Sequence, residues 1–176
     1  MTTVDLTTLG VKDVLRLYGA ILKEMRRREI TTTNDGPIGG YGEWLVARAF
    51  NGVRKANSSK GFDVLADDGL RLQVKTRWLP LGTELRQLSA IRKLEEAGFD
   101  FIVAVLLDED FDVGEAYQIP HGAVARLTSR AELTNSRRLV LTPRVCRDAD
   151  CRDITAKLRA ADREIAGAVA APPPAD

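Results

Sequence analysis

From Leu9 to Ile30, apolar residues return every three or four positions: Val11, Val14, Leu15, Leu17, Tyr18, Ile21 and Leu22, with Lys12, Arg16, Lys23 and Glu24 between them. That period predicts a helix with one apolar face. Its closing M-R-R-R-E-I places cations where a helix C-terminus favours them. The next segment, T-T-T-N-D-G-P-I-G-G-Y-G, is expected to break the helical pattern through Pro37 and its four glycines. Glycines at 39, 40 and 42 also let the backbone approach another element or a ligand closely. A second helix is predicted from about Tyr41 to Phe50, offering Trp44, Leu45, Ala47 and Ala49 to a core.

The pattern then changes to short runs separated by turn residues. Val53 to Ala56, Phe62 to Ala66 and Leu70 to Trp78 read as three strands in a meander, with D-D-G as the second turn. Residues from about Glu84 to Ala97 return to helical spacing, closed by Gly98 as a C-cap. F-D-F-I-V-A-V-L-L-D, 99 to 108, is the most apolar stretch and is expected at the centre of the sheet. G-E-A-Y-Q-I-P, 114 to 120, is its antiparallel partner, followed by a short helix from about His121 to Leu127. R-R-L-V-L-T-P-R, 137 to 144, reads as an edge strand that tolerates Pro143. Asp153 caps a last helix, and A-P-P-P-A-D is expected to be disordered. The fold class is therefore α/β, a mixed sheet flanked by helices. One domain spans 1–167, with a helical N-terminal extension at 9–30, a core at about 39–145 and a tail at 168–176.

Residues 61–77, G-F-D-V-L-A-D-D-G-L-R-L-Q-V-K-T-R, concentrate the polar chemistry. Strand side chains alternate, so Gln73 and Lys75 share a face while Val74 points into apolar packing. An antiparallel turn can bring Asp63 beside that face, and Glu43 lies on the first turn of the preceding helix. Two carboxylates, an amide oxygen and an ammonium then converge. Such a set suits a hard divalent cation and a phosphate, because Mg²⁺ takes oxygen ligands and only one or two protein carboxylates.

The spacing D63-x9-Q73-V-K75, preceded by the glutamate of G-Y-G-E-W, resembles the PD-(D/E)XK nuclease superfamily, with its restriction-endonuclease-like fold. The Q-x-K version is similar to Mrr-type restriction endonuclease catalytic domains. The wider pattern of G-E-x-L-V-A, G-F-D-V, L-Q-V-K, F-D-F-I-V-A-V-L-L-D and Q-I-P is similar to a small bacterial branch of the superfamily, over about 120 residues. The resemblance implies a core in the order αβββαβ and a Mg²⁺-dependent endonuclease, with Mn²⁺ as the alternative ion. Asp63 would be the main metal ligand, the Val74 carbonyl a backbone ligand, Glu43 a ligand directly or through water, and Lys75 the catalytic lysine. Gln73 stands where the usual acid does, and its neutral oxygen binds Mg²⁺ more weakly. DNA is the implied substrate, in restriction, phage defence or repair. RNA cleavage and a non-cutting nucleic-acid- or protein-binding module are the alternatives.

The 176-residue chain has a net charge of +1, so phosphate binding must come from a local patch. Arg77, Arg86, Arg92 and Lys93, on and just beyond the Lys75 strand, are the candidate nucleic-acid contacts. Arg26, Arg27 and Arg28 read as a solvated helix end, and Trp78 as a core residue. His121, the only histidine, reads as a helix-start residue. Cys146 and Cys151 have no second pair of ligands, so free thiols in a reducing cytoplasm are expected rather than zinc. No apolar run approaches the roughly 20 residues that span a bilayer, so no membrane partner is expected. Duplex cleavage by one small site calls for paired sites, hence a homodimer.

Overall fold

The structure, a computed structural model, describes residues 5–31, 36–55, 61–83 and 85–167. Ala56, Glu84 and the predicted tail lie outside those residues. A short 3₁₀ turn precedes helix α1 (Val11–Arg27), which leads to α2 (Pro37–Ala49). A meander follows of β1 (Val53–Arg54), β2 (Val64–Leu65) and β3 (Arg71–Trp78). Next come β4 (Ile91–Arg92), β5 (Phe101–Leu107), β6 (Val113–Pro120) and α3 (His121–Leu127). The chain continues through β7 (Ser129–Ala131), β8 (Ser136–Arg138), α4 (Pro143–Cys146) and β9 (Arg152–Asp153) to α5 (Thr155–Gly167).

The main sheet runs β1-β2-β3-β5-β6-β9, and only the β3–β5 pair is parallel. One face, with Leu72, Val74, Val103 and Val105, packs on Leu45 and Val46 of α2 and Leu158 of α5. The other, with Ile102, Ala104, Leu106 and Ile119, packs on Leu88, Ile91, Leu94, Val124, Leu139 and Leu141. Covered on both sides, β5 needs apolar residues at every position, which explains its unbroken run. Each fully buried leucine on these faces contributes about 1.5–3 kcal/mol through the area removed from water. No helix among the described residues is long and apolar enough to cross a membrane, and Cys146 and Cys151 are free thiols.

Three expectations are corrected. The glycine-rich segment does not end before the second helix: Pro37 occupies its first turn, and Gly39, Gly40 and Gly42 are helical. Gly42 is there because α2 presses on β3, where a Cβ at this position would meet Thr76 Oγ1 at 1.8 Å.

The helix expected over 84–97 is reduced, within residues 85–97, to a single 3₁₀ turn at Leu94–Glu96. Arg86 to Arg92 instead lies along residues 136–141, through Leu88 N–H to the Leu139 carbonyl, Leu141 N–H to the Arg86 carbonyl, and the Ile91–Arg137 pair. Long-range pairing satisfies this backbone and overrides the local periodicity. The αβββαβ order therefore lacks its second helix, and Ala97, not Gly98, holds a left-handed turn conformation.

Third, the segment at 137–144 is no edge of the main sheet. Ser136–Arg138 is the middle strand of a separate sheet, β4-β8-β7, and Pro143 opens α4. The last helix does start as expected, with Asp153 accepting from the Thr155 N–H.

Candidate active site

The site lies where β2 stops and β3 continues. Asp63 is held through its backbone by both neighbours, its N–H donating to the Leu72 carbonyl and its carbonyl accepting from Lys55 N–H. Its carboxylate then takes the place of the missing strand, with Oδ2 accepting from Val74 N–H at 2.7 Å. The N–H and carbonyl of one strand residue point the same way, so the Val74 carbonyl faces the same uncovered edge.

Gln73 and Lys75 project from the opposite face to Leu72 and Val74, as alternation requires. Gln73 Nε2 donates to the Gly61 carbonyl at 3.3 Å. Its Oε1 is buried and has no hydrogen-bond partner among the described residues. A buried acceptor left unpaired costs about 1–3 kcal/mol, and a cation or a donor placed against it would recover that cost.

The charges of Glu43, Asp63 and Lys75 act on one another. Burial, with the Asp63 charge added, pushes the Glu43 carboxyl up to about 7, against the pull of Arg54 and Lys75. Burial also raises Asp63, offset by the Val74 hydrogen bond and by Lys75. Burial lowers Lys75, Asp63 and Glu43 oppose that shift, and Arg92 adds to it. Two carboxyls driven toward neutrality by burial, Glu43 also by the Asp63 charge, form a place where positive charge is favoured.

Gln73 and Lys75 line a cleft of about 440 Å³ together with Arg92, Lys93 and Glu96, the last two paired at 2.7 Å, while Asp63 and Glu43 lie outside its lining. Its lip is a backbone contact, since a Cβ on Gly98 would come within 2.8 Å of Gly61 Cα. A larger hollow, of about 660 Å³, lies between the β2–β3 turn and α5 and is lined by Asp67, Asp68, Asp150 and Asp153. Among the described residues, none of its lining atoms is a buried polar group without a partner, so the smaller cleft is the candidate.

Of the proposed phosphate contacts, Arg92 and Lys93 are therefore at the cleft. Arg77 is half-buried and donates to the Gln87 carbonyl. Arg86 is elsewhere, its guanidinium gripping both oxygens of Glu115 and the Leu141 carbonyl. Trp78 is not a core residue: it is 37% exposed and stacks on Phe111, with ring centroids 4.9 Å apart. The His121 ring is engaged with the Leu94 carbonyl. The sequence reading missed Arg54, whose charge steadies Glu43 while its guanidinium holds the Glu29 and Ile30 carbonyls. It also missed the Gly61–Gly98 lip.

The candidate donors are two carboxylates, an amide oxygen and a backbone carbonyl. All are hard oxygens, so their chemistry fits Mg²⁺. Among the described residues no three His, Cys, Asp or Glu side chains meet at one point, so the amide and the carbonyl must complete any ligand set. The chain matches no family model and no curated protein.

Proposed function

We propose that this protein is a Mg²⁺-dependent nuclease that hydrolyses phosphodiester bonds in DNA, with the PD-(D/E)XK resemblance as its framework. The observation that supports the reading is that Glu43, Asp63 and Lys75, from three separate segments, feel one another's charge, while Lys75 shares its strand face with the unpartnered Oε1 of Gln73. Asp63, Glu43, Gln73 Oε1 and the Val74 carbonyl would hold Mg²⁺, or Mn²⁺ in its place. When bound, the ion would polarise the scissile phosphate and make water a better nucleophile at neutral pH.

The chain's own residues do the rest. Lys75 Nζ orients the attacking water and offsets charge developing on the phosphate. Arg92 and Lys93 grip phosphate oxygens from the cleft and fix the strand without reading its sequence. Asp63, tied through Oδ2 to the Val74 N–H, has its second oxygen left for the ion. The superfamily resemblance implies a 5′-phosphate product and a setting in restriction, phage defence or repair.

A second reading has an observation of its own. Gln73 is neutral and Glu43 titrates near neutrality, which weakens ion binding and favours a module that binds nucleic acid without cutting it.

The deciding experiment incubates the protein with duplex DNA, single-stranded DNA and RNA, with Mg²⁺ or Mn²⁺ and with EDTA. A calorimetric titration of each ion runs in parallel. Metal-dependent cleavage of DNA is expected, with Lys75→Ala and Asp63→Asn each at least about a thousandfold slower. The amide oxygen introduced by Asp63→Asn can still accept from Val74 N–H, so that variant should stay folded. Undiminished cleavage by Lys75→Ala overturns the mechanism. Metal binding absent in the wild type, together with retained DNA binding, selects the non-cutting module.

A further inference from the structure

Among the described residues two surfaces of this chain are left largely uncovered, and they complement each other. The first is α1. At about 100° per residue, Val11, Val14, Leu15, Leu17, Tyr18, Ile21, Leu22 and Met25 gather on one side. Yet the helix has no fully buried residue: Leu17, Leu22 and Met25 are half-buried, and Val11 is 79% and Leu15 64% exposed. A helix of this length is marginal in water unless an apolar face is packed. Along the Leu15–Leu22 border of that face run Lys12, Lys23 and Arg26, none of them in an ion pair among the described residues.

The second surface is at the C-terminal ends of β3 and β5. Trp78 and Phe111 lie ring on ring, tilted only 8°, and Leu81 on the following turn is 86% exposed. Phe111 holds this stack with φ at +67°, a conformation rare for a bulky residue. Around it the turn reads D-E-D-F-D, 108 to 112. Every one of those carboxylates is exposed, and none forms an ion pair among the described residues. An apolar centre ringed by acids calls for an apolar stripe bordered by cations. Nucleic acid is disfavoured here, since the turn would repel its phosphates.

Among the described residues no hydrogen bond, ion pair or aromatic contact joins the two within one chain. Arg54 fastens the Glu29 and Ile30 carbonyls at the end of α1 to β1, at the far edge of the sheet. We propose that α1 of one copy lies across the Trp78–Phe111 patch of a second copy and that the second copy returns the contact, giving a two-fold dimer. Reciprocity makes the contact twice per dimer, so each needs only about half of the roughly 1,600 Å² of a standard interface. The helix gains the cover it lacks, and the acidic turn gains Lys12, Lys23 and Arg26.

The experiment is light scattering behind size exclusion on the full chain at about 50 µM, with sedimentation equilibrium to obtain Kd. The wild type should run at twice the 19.3 kDa chain mass, with Kd rising as salt screens the charges. Leu15→Glu with Tyr18→Glu should give a monomer, and it should lose helical circular dichroism only in proportion to α1. Lys12→Glu with Lys23→Glu should weaken the dimer at least tenfold. Glu109→Lys with Asp110→Lys should do the same, and the four changes together should restore it. A monomeric wild type, or a dimer indifferent to the Leu15 and Tyr18 changes, overturns the proposal. So does a dimer that responds to α1 variants but not to the turn, which would mean helix pairing with helix. None of these outcomes depends on nuclease activity.

Discussion

Gly42→Ala tests how closely α2 must lie on β3 for Glu43 to reach the site. Helix propensity alone favours alanine by about 1 kcal/mol. Against this, the new methyl would sit 1.8 Å from Thr76 Oγ1 and 2.8 Å from Thr76 Cβ. Rotating the threonine side chain cannot relieve the second contact, because Cβ is fixed by the strand backbone. Helix and strand must separate, and overpacking of that kind costs about 1–3 kcal/mol or more. A net loss of about 2 kcal/mol is expected, which for a chain of this size lowers Tm by roughly 4–8 °C.

Gly39→Ala is the internal control. It lies in the same helix with nothing within 4 Å of its added methyl, so it should raise Tm by roughly 2–4 °C. The assay is thermal and urea unfolding followed by circular dichroism. The double variant Gly42→Ala/Thr76→Gly should be more stable than the two single losses predict, by about 1 kcal/mol or more. A Gly42→Ala protein as stable as Gly39→Ala would refute the packing argument, and with it the account of how Glu43 is positioned.

Three further predictions concern the site and its surroundings. Glu43 has a folded pKa of about 7 against an ordinary value of 4.5, so between those values the folded state holds a proton that the unfolded state has lost. Its contribution therefore turns against folding as pH rises through that window. In EDTA, Glu43→Gln should raise Tm at pH 8 and leave it unchanged at pH 4, whereas an equal gain at both would mean a packing effect. Arg92→Ala should weaken nucleic-acid binding in a filter or anisotropy assay without moving Tm. Arg86→Ala should lower Tm by roughly 4–10 °C, since it strands Glu115 and the Leu141 carbonyl, and should leave nucleic-acid affinity nearly unchanged.

The sequence spoke most clearly where one local rule governed each position. Period two and the D-D-G turn marked β3 and placed Gln73 and Lys75 on a common face, and the unbroken apolar run marked β5. Alternation and strand pairing require nothing beyond neighbouring residues. The segment 85–97 failed because Leu88, Ile91 and Leu94, spaced by three, fit a helix as well as the paired, turning chain that forms. Its partner at 136–141 is too distant in sequence to read. Trp78 misled for a related reason. Its apolar neighbours suggested burial, but shelter comes from Phe111, on another loop. The glycines at 39–42 were read as breakers because their value lies in what α2 presses against. That Gly98 serves a backbone contact with Gly61 left no local signal at all.

The distant pairing of residues 86–92 with 136–141 also dictates an order of events as the chain is made. Glu43, Asp63, Gln73 and Lys75 lie within the first half of the polypeptide, on α2 and the β2–β3 hairpin, and the partner strand of β3, β5, ends at Leu107. The wall bearing Arg92 and Lys93 has nothing to pair with until Ser136 to Leu141 has been synthesised. Loops closed over such separations form late. The nascent protein thus completes the strand that carries Gln73 and Lys75 well before the opposite side of their cleft can form.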